Sequence, residues 1–299
     1  MKNKYIFLGD INSINVELIV KSFRFLKNKV NYIIICDAKK FSDYQKKIKS
    51  NIKLNLINNP FDFKELLSNF INIFNVSPKF NRTESMLNEL YISNKLCNLT
   101  GYDLVTMPIN KFSFKRTMKF NGMTEYLGEI NQRKTIMLMV GEKFSIIPIT
   151  THINLKSVGK GFKKKLQQFI KNFNKIEFGK NLFEKYKEFR FLCFNPHCGE
   201  NRTLGLEDYF IKKEIKKINK GNIITIAADS AFRKTSKKYL FFSFYHDQAL
   251  IPFKILNKKS YNQTIGLSYR RLSPSHGTAV DIKFKNKADN TSYLQCMLN

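Results

Sequence analysis

Short apolar runs alternating with longer amphipathic segments constrain this chain more than any other feature. Tyr5–Leu8 reads as a strand and Val16–Leu26 as a helix; Tyr32–Cys36 and Phe41–Lys49 repeat the pair, and Leu54–Ile57 adds a third strand. A helix at Glu84–Leu99 precedes a strand at Leu104–Met107, and Thr135–Val140 with Phe144–Ile149 reads as a hairpin around Gly141-Glu142. Two helical stretches follow, Leu155–Phe173 and one around Leu182–Phe189. Then come strand Arg190–Phe194, helix Leu206–Ile218, strands Ile223–Ala227 and Tyr239–Tyr245, and a last helix at Asp289–Leu298. Alternation of this kind implies helices packed on a largely parallel sheet. No repeat, heptad run or flexible linker marks a boundary. The expected division is residues 1–118 plus 283–299 as a first α/β domain and 119–282 as a second, carrying most metal and substrate residues.

The formal net charge of +29 raises nucleic-acid or anionic-membrane binding as a function. A binding arm would concentrate that charge, whereas lysine here is spread along the whole chain and accompanies abundant Asn, Ile and Phe. All four residues share A/T-rich codons, so compositional drift accounts for them together. The dense runs Lys163–Lys165 and Lys212–Lys217 read as solvated helix faces, and neither nucleic acid nor membrane is expected as a partner. No run of eighteen apolar residues exists to span a bilayer, and the apolar start Met1–Gly9 is too short for a secretion signal. Five scattered cysteines make no disulfide framework; a reducing cytoplasm is expected, with Cys198 read as a small buried residue or a soft ligand.

Three of the four histidines share one kind of position. His152 ends the run Phe144–Ile149 after Thr150-Thr151, His197 follows Phe191–Phe194 through Asn195-Pro196, and His246 directly follows Tyr239–Tyr245. In open α/β sheets, ligand sites form beyond the carboxyl ends of strands. Three neutral imidazoles converging there would bind a divalent transition metal, with Asp247 placed to orient a ring or complete the shell. Each histidine taken singly also reads as a local cap.

Polar strings interrupt the apolar pattern at Thr106-Met-Pro-Ile-Asn-Lys111, Asn121-Gly-Met-Thr-Glu125, Thr150-Thr-His152, Asn195-Pro-His-Cys-Gly-Glu200, Ala228-Asp229, Tyr245-His-Asp-Gln248 and Ser275-His-Gly-Thr-Ala279. Their order and spacing resemble those of 4-hydroxythreonine-4-phosphate dehydrogenases over nearly the whole chain. The resemblance implies a three-layer α/β/α fold of the isocitrate/isopropylmalate dehydrogenase type, with two domains and an interdomain cleft. It implies His152, His197 and His246 as metal ligands and Thr124, Lys254, Asn262 and Arg271 as substrate contacts, with Arg270 adjacent. Lys254, Asp229 and Asp247 are candidate catalytic groups; the bland readings are a surface lysine for Lys254 and a helix cap for Asp229. NAD or NADP is the implied hydride acceptor. No G-x-G-x-x-G occurs, and Ser275, His276 and Gly277 are the candidate cofactor contacts. The metal is zinc, cobalt, manganese or magnesium, with three histidines least natural for magnesium. Homodimers with shared active sites are also implied.

The chain departs from the family pattern. Met123 stands where the family carries a substrate-contacting histidine, and methionine cannot donate a hydrogen bond. The glycine-rich start appears as Gly9-Asp-Ile-Asn-Ser-Ile-Asn-Val-Glu17, Ser275 replaces an aspartate, and the last helix is short. The expected function is NAD-dependent oxidation of 4-phosphooxy-L-threonine. The alternative is a diverged paralogue acting on another phosphorylated hydroxy acid, or inactive.

Overall fold

The computed structural model describes residues 1–112, 120–176, 184–218 and 221–299. These fall into two compact units: Met1–Met123, Tyr261–Gln263 and Leu267–Asn299 form the first, Thr124–Ser260 and Thr264–Gly266 the second. The α/β class expected from the sequence is the one observed.

In the first unit the strands are β1 (Lys2–Phe7), β2 (Val30–Cys36), β3 (Leu54–Leu56), β4 (Ile71–Asn75), β5 (Asp103–Thr106) and β12 (Arg271–Pro274). Their order is β3-β4-β2-β1-β5-β12, and every pairing is parallel. Tyr5–Phe7 and Ile33–Ile35 are wholly buried, as central strands covered on both faces must be. The helices are α1 (Asn15–Leu26), α2 (Ala38–Lys47), α3 (Arg82–Thr100) and α9 (Thr291–Leu298). Asp37 caps α2 by accepting from the Lys39 and Lys40 amides, and Asn81 caps α3 by accepting from the Glu84 amide.

The second unit has β6 (Ile136–Gly141) and β7 (Ser145–Pro148) as the expected antiparallel hairpin. β10 (Tyr239–Ser243), β8 (Glu188–Leu192) and β9 (Asn222–Ile226) then extend the sheet in parallel, in the order β6-β7-β10-β8-β9. β11 (Ser260–Ile265) is divided between the two units. Helices α4 (Met123–Ile130), α5 (Lys156–Gly159), α6 (Phe162–Lys175), α7 (Glu207–Glu214) and α8 (His246–Leu256) complete the second set. With no tryptophan in the chain, phenylalanine fills this core: Phe144 meets Phe241 and Phe253 edge-on, and Phe191 stacks on Phe242 at 4.2 Å between centroids.

Several expectations are corrected. The helix read over Leu155–Phe173 breaks into α5 and α6 at Gly161, whose φ of +71° ends one helix and begins the next. Of the stretch Leu182–Phe189, residues 182–183 lie outside the described residues, and Glu188–Phe189 belong to β8. β4, β11 and β12 were not anticipated, nor were α4 and α8. The chain returns to the first unit at Tyr261 and again at Leu267 rather than at residue 283, because β12 pairs with β5. Cys193 and Cys198 form a disulfide, against the expectation of unpaired thiols, because a left-handed bend brings them to a Cα separation of 5.1 Å; Cys36, Cys97 and Cys296 are free and buried. Among the described residues no helix is long and apolar enough to cross a membrane.

Candidate active site

β7, β10 and β8 are neighbours in the second unit, all parallel, so their carboxyl ends emerge side by side. His152 lies just beyond β7, His246 beyond β10 and His197 beyond β8. Neighbouring strands are spaced about 5 Å apart, so the connectivity alone brings the segments carrying these imidazoles to one edge. Hydrogen bonds fix the strand ends: the Ile149 amide donates to Ser243 O at 2.7 Å, and Thr150 Oγ1 donates to Phe244 O at 2.5 Å.

The structure brings His152 and His246 together, with ring centroids 6.0 Å apart. Each ring faces a carboxylate through Nδ1: His152 meets Glu125 Oε1 at 3.7 Å, and His246 meets Asp247 Oδ1 at 2.6 Å. Glu125 also accepts from Thr151 Oγ1 at 2.6 Å. Burial opposes its charge, but the bonds from His152 and Thr151 prevail and hold the carboxyl down to about 2. Glu125 Oε2 is buried with no protein partner. Imidazole and carboxylate are donor types that a divalent transition cation takes.

His197 is not gathered with that pair. Among the described residues no group of three or more His, Cys, Asp or Glu side chains is placed to hold a metal ion. The segment carrying His197 runs through left-handed backbone from His197 (φ 48°) to Arg202 (φ 81°). For residues other than glycine this conformation costs about 1–2 kcal/mol each, and such strain concentrates at functional sites. Asp208 secures the entry to this segment, accepting from the Phe194 amide at 2.7 Å and the Asn195 amide at 3.0 Å.

The other expected residues fall as follows. In the second unit, Thr124 is buried, its Oγ1 3.0 Å from Thr264 Oγ1, and its carbonyl accepts from Thr135 Oγ1. Lys254 is exposed on α8, eight residues or about 12 Å along the helix axis from His246. Asp229 and Asp247 are exposed. A cavity of about 700 Å³ in this unit includes Thr124, Glu125 and Thr151 in its lining, together with Lys160 and Lys164. Sequence reading assigned no role to Glu125, Thr151, Lys160 or Lys164; only the position of Glu125 within Asn121–Glu125 signalled it.

In the first unit, Met123 is half-buried at the start of α4. Arg271 is buried on β12 and donates from Nε to Thr106 Oγ1 at 2.8 Å, whereas Arg270 clamps Asp103. Asn262 Oδ1 is buried without a partner. Ser275 bonds Ser292 through its amide at 2.9 Å, and His276 Nδ1 lies 2.9 Å from Gly277 O. This segment meets the altered N-terminal turn, where the Ile14 amide donates to Thr278 O at 3.2 Å. Gly9 in that turn has φ +71°, and a Cβ there would meet Pro108 O at 2.6 Å, so a side chain does not fit.

The profile of the family described as "Pyridoxal phosphate biosynthetic protein PdxA" matches residues 27–298. The chain is 34% identical to the 4-hydroxythreonine-4-phosphate dehydrogenase of Aquifex aeolicus (strain VF5), over 98% of this chain and 95% of that one. It is 33% identical to the enzyme of the same name from Campylobacter fetus subsp. fetus (strain 82-40), with the same coverage. The crystal structure of 4-hydroxythreonine-4-phosphate dehydrogenase from Klebsiella pneumoniae superposes with a TM-score of 0.79 at 21% identity, covering 99% of this chain and 97% of that one, and so shares its fold. With whole-length identity to curated dehydrogenases and a profile spanning nearly all of the sequence, this chain belongs to the PdxA family of pyridoxal phosphate biosynthesis, an oxidoreductase family.

Proposed function

We propose that the chain oxidises 4-phosphooxy-L-threonine with NAD, giving 2-amino-3-oxo-4-phosphooxybutanoate, which loses carbon dioxide to give 3-amino-2-oxopropyl phosphate. The observation that carries this reading is the pairing of His152 with His246 at the ends of adjacent parallel strands, each ring backed by a carboxylate. His152, His246 and His197 are the proposed holders of a divalent cation. Bound there, the cation would lower the pKa of the substrate hydroxyl and stabilise negative charge on its oxygen. NAD, with Ser275, His276 and Gly277 as proposed contacts, would take the hydride.

The chain's own groups do the positioning. Glu125, held ionised, fixes the His152 ring and its tautomer through Nδ1, so that Nε2 is the atom the ring offers; Asp247 does the same for His246. The cavity beside Glu125 has room for a small phosphorylated acid, and Lys160 and Lys164 give its wall positive charge. Lys254, Asn262 and Arg271 are the further proposed substrate contacts, with Thr124 as a hydroxyl donor. Asp229, Asp247 and Lys254 are the groups proposed to handle protons.

Met123 supports a second reading, oxidation of another phosphorylated hydroxy acid, because a thioether occupies the position of a family hydrogen-bond donor. One experiment separates the readings. Purified protein loaded with Co²⁺, Mn²⁺, Zn²⁺ or Mg²⁺ is offered 4-phosphooxy-L-threonine and a panel of phosphorylated hydroxy acids with NAD or NADP. NADH formation from the first, abolished by His197→Ala, supports the leading reading. Formation only from a panel member supports the second, and none from any substrate sinks both. Sedimentation of the same protein tests the proposed homodimer of this cytoplasmic reading, and a purely monomeric species would exclude the dimer.

A further inference from the structure

Gln248 closes the string Tyr245-His-Asp-Gln248, and both ends of its side-chain amide are used. Its Oε1 accepts from the Phe244 amide at 2.8 Å, and its Nε2 donates to Cys193 O at 3.1 Å. These partners fix which end is which, since a peptide N–H bonds only to the oxygen and a carbonyl only to the nitrogen. β10 and β8 pair from Tyr239 with Glu188 to Phe242 with Phe191. Carrying that register two residues further sets Phe244 opposite Cys193. There the carboxamide of Gln248 takes over from the direct N–H···O=C bonds that tie the two strands lower down.

This tie belongs to a longer row of bonds. Phe244 O accepts from Thr150 Oγ1 at 2.5 Å, so side chains hold both peptide groups of Phe244. Thr150 lies two residues before His152, Phe244 two before His246, and Cys193 four before His197. Thr150, Phe244, Gln248 and Cys193 therefore form a continuous hydrogen-bonded row across the ends of β7, β10 and β8, touching each segment that bears one of these histidines. The row ends on fixed backbone. Cys193 is buried, its amide donates to Ile226 O at 2.8 Å, and the next two amides, of Phe194 and Asn195, donate to Asp208. All of these bonds lie within one chain, so they set the segments relative to one another before a second copy contributes anything.

We propose that Gln248 is a positioning residue for the cation site: its carboxamide sets the relative placement of the segments that deliver His246 and His197. The inference rests on the metal-site reading above. Both bonds of Gln248 go to backbone, so it acts through the strand ends and not as a ligand. A neutral carboxamide suits the task because it offers a donor and an acceptor at a fixed angle. Glutamate in its place keeps the acceptor for the Phe244 amide but turns a carboxylate oxygen toward the Cys193 carbonyl. Methionine has a similar length and no N–H to donate, so it fills the space and makes neither strong bond. Supporting groups of this kind set the geometry of metal sites without touching the metal.

The test measures Co²⁺ affinity by calorimetry, and the visible spectrum of bound Co²⁺, in the full-length native protein and in Gln248→Glu, Gln248→Met and Tyr186→Phe. Tyr186→Phe is the control for general loosening: it removes a buried bond, from the Tyr186 hydroxyl to Ser145 Oγ at 2.8 Å, near the amino ends of β7 and β8. Both Gln248 variants should bind Co²⁺ at least about tenfold more weakly and with a shifted absorption band at saturation. Tyr186→Phe should match the native protein in both. Native affinity and spectrum in the two Gln248 variants overturn the proposal and leave the metal reading intact. Equal weakening in Tyr186→Phe also overturns it, by tracing the effect to a looser sheet. Hydrogen exchange at the Phe244 amide needs no variant: slow exchange in the folded native protein is expected, and fast exchange would mean that the bond to Gln248 is not made. If the native protein binds no Co²⁺, or binds it equally well after His152→Ala and His246→Ala, the metal reading falls and the role of Gln248 with it.

Discussion

Glu89 in the first unit and Glu125 in the second are both drawn away from water, yet their surroundings drive them in opposite directions. Burial pushes the Glu89 carboxyl up to about 8; the Asp37 amide, 3.3 Å away, and Lys40 offset it only partly. At Glu125 the donors outweigh burial and hold the carboxyl down to about 2. The contrast reflects what the strand ends do in each unit. In the first, polar groups at the strand ends tie loops together. Asn15 Nδ2 donates to Leu8 O, Asp10 O and Pro108 O, Arg82 pairs with Asp10, and Arg271 with Thr106. In the second, the strand ends present exposed His197, Asp229 and Asp247 beside a strained backbone. One set of ends is tied into a framework; the other leaves an imidazole and two carboxylates exposed.

The largest expected effect tests the framework alone. Asp103 accepts from Lys4 Nζ at 3.0 Å and from Arg270 Nε at 2.9 Å, and Lys4 is completely buried. Burial opposes the Asp103 charge, but the bond from Arg270 and the charge of Lys4 hold its carboxyl below the usual carboxylate range. Asp103→Ala leaves two cations without their counter-ion, one of them sealed from solvent. The loss should be about 3–5 kcal/mol in denaturant unfolding, with Co²⁺ affinity unchanged in the protein that remains folded. A parallel loss of metal affinity would mean that the division of labour between the units is wrong.

His246→Ala should do the reverse. Removing one of the paired imidazoles should weaken Co²⁺ binding by about a hundredfold or more, since even supporting groups cost ten- to a hundredfold. The ring is partly exposed, so the unfolding midpoint should hardly move. A variant that binds Co²⁺ as the native protein does removes His246 from the site.

How much of this was legible in the sequence follows the same contrast. The parallel strands could be read because central strands are continuous apolar runs, and the three histidines stood out because they end such runs. β4, Ile-Asn-Ile-Phe-Asn, and β11, Ser-Tyr-Asn-Gln-Thr-Ile, escaped because polar residues break the pattern. Asn72 on β4 is buried because its side chain donates to the Leu67 and Phe70 carbonyls in the preceding turn and accepts from Asn55 Nδ2 on β3. The disulfide was invisible because its two cysteines are brought together by the left-handed run after Pro196, which the sequence does not announce. Glu125 was passed over because its importance lies in meeting His152, 27 residues on, across the hairpin that joins them.

Glu89→Gln addresses the raised carboxyl directly. A folded-state pKa near 8, above the usual 4.5, means that Glu89 adds stability below pH 4.5 and that this contribution is lost as the pH rises toward 8. Replacing it with an amide should abolish that dependence and stabilise the protein above pH 8 by up to about 5 kcal/mol. Unchanged pH dependence of unfolding over this window would show that Glu89 is already ionised in the folded chain.

Glu125→Gln carries the smallest effect and bears most directly on the contrast. Its depressed pKa has the opposite sign: Glu125 adds stability above the usual 4.5, and this contribution is lost as the pH falls toward about 2. The amide keeps the size and the bond to Thr151 but removes the charge facing His152 Nδ1. Acid unfolding between those limits should become shallower, and Co²⁺ affinity at neutral pH should fall by about tenfold, because the ring loses the anion that orients it and makes it a better donor. The two readouts must move together, since one charge accounts for both. Acid unfolding that flattens while Co²⁺ affinity holds would make Glu125 a framework residue like Asp103, and the carboxylate behind His152 would then have no part in the site.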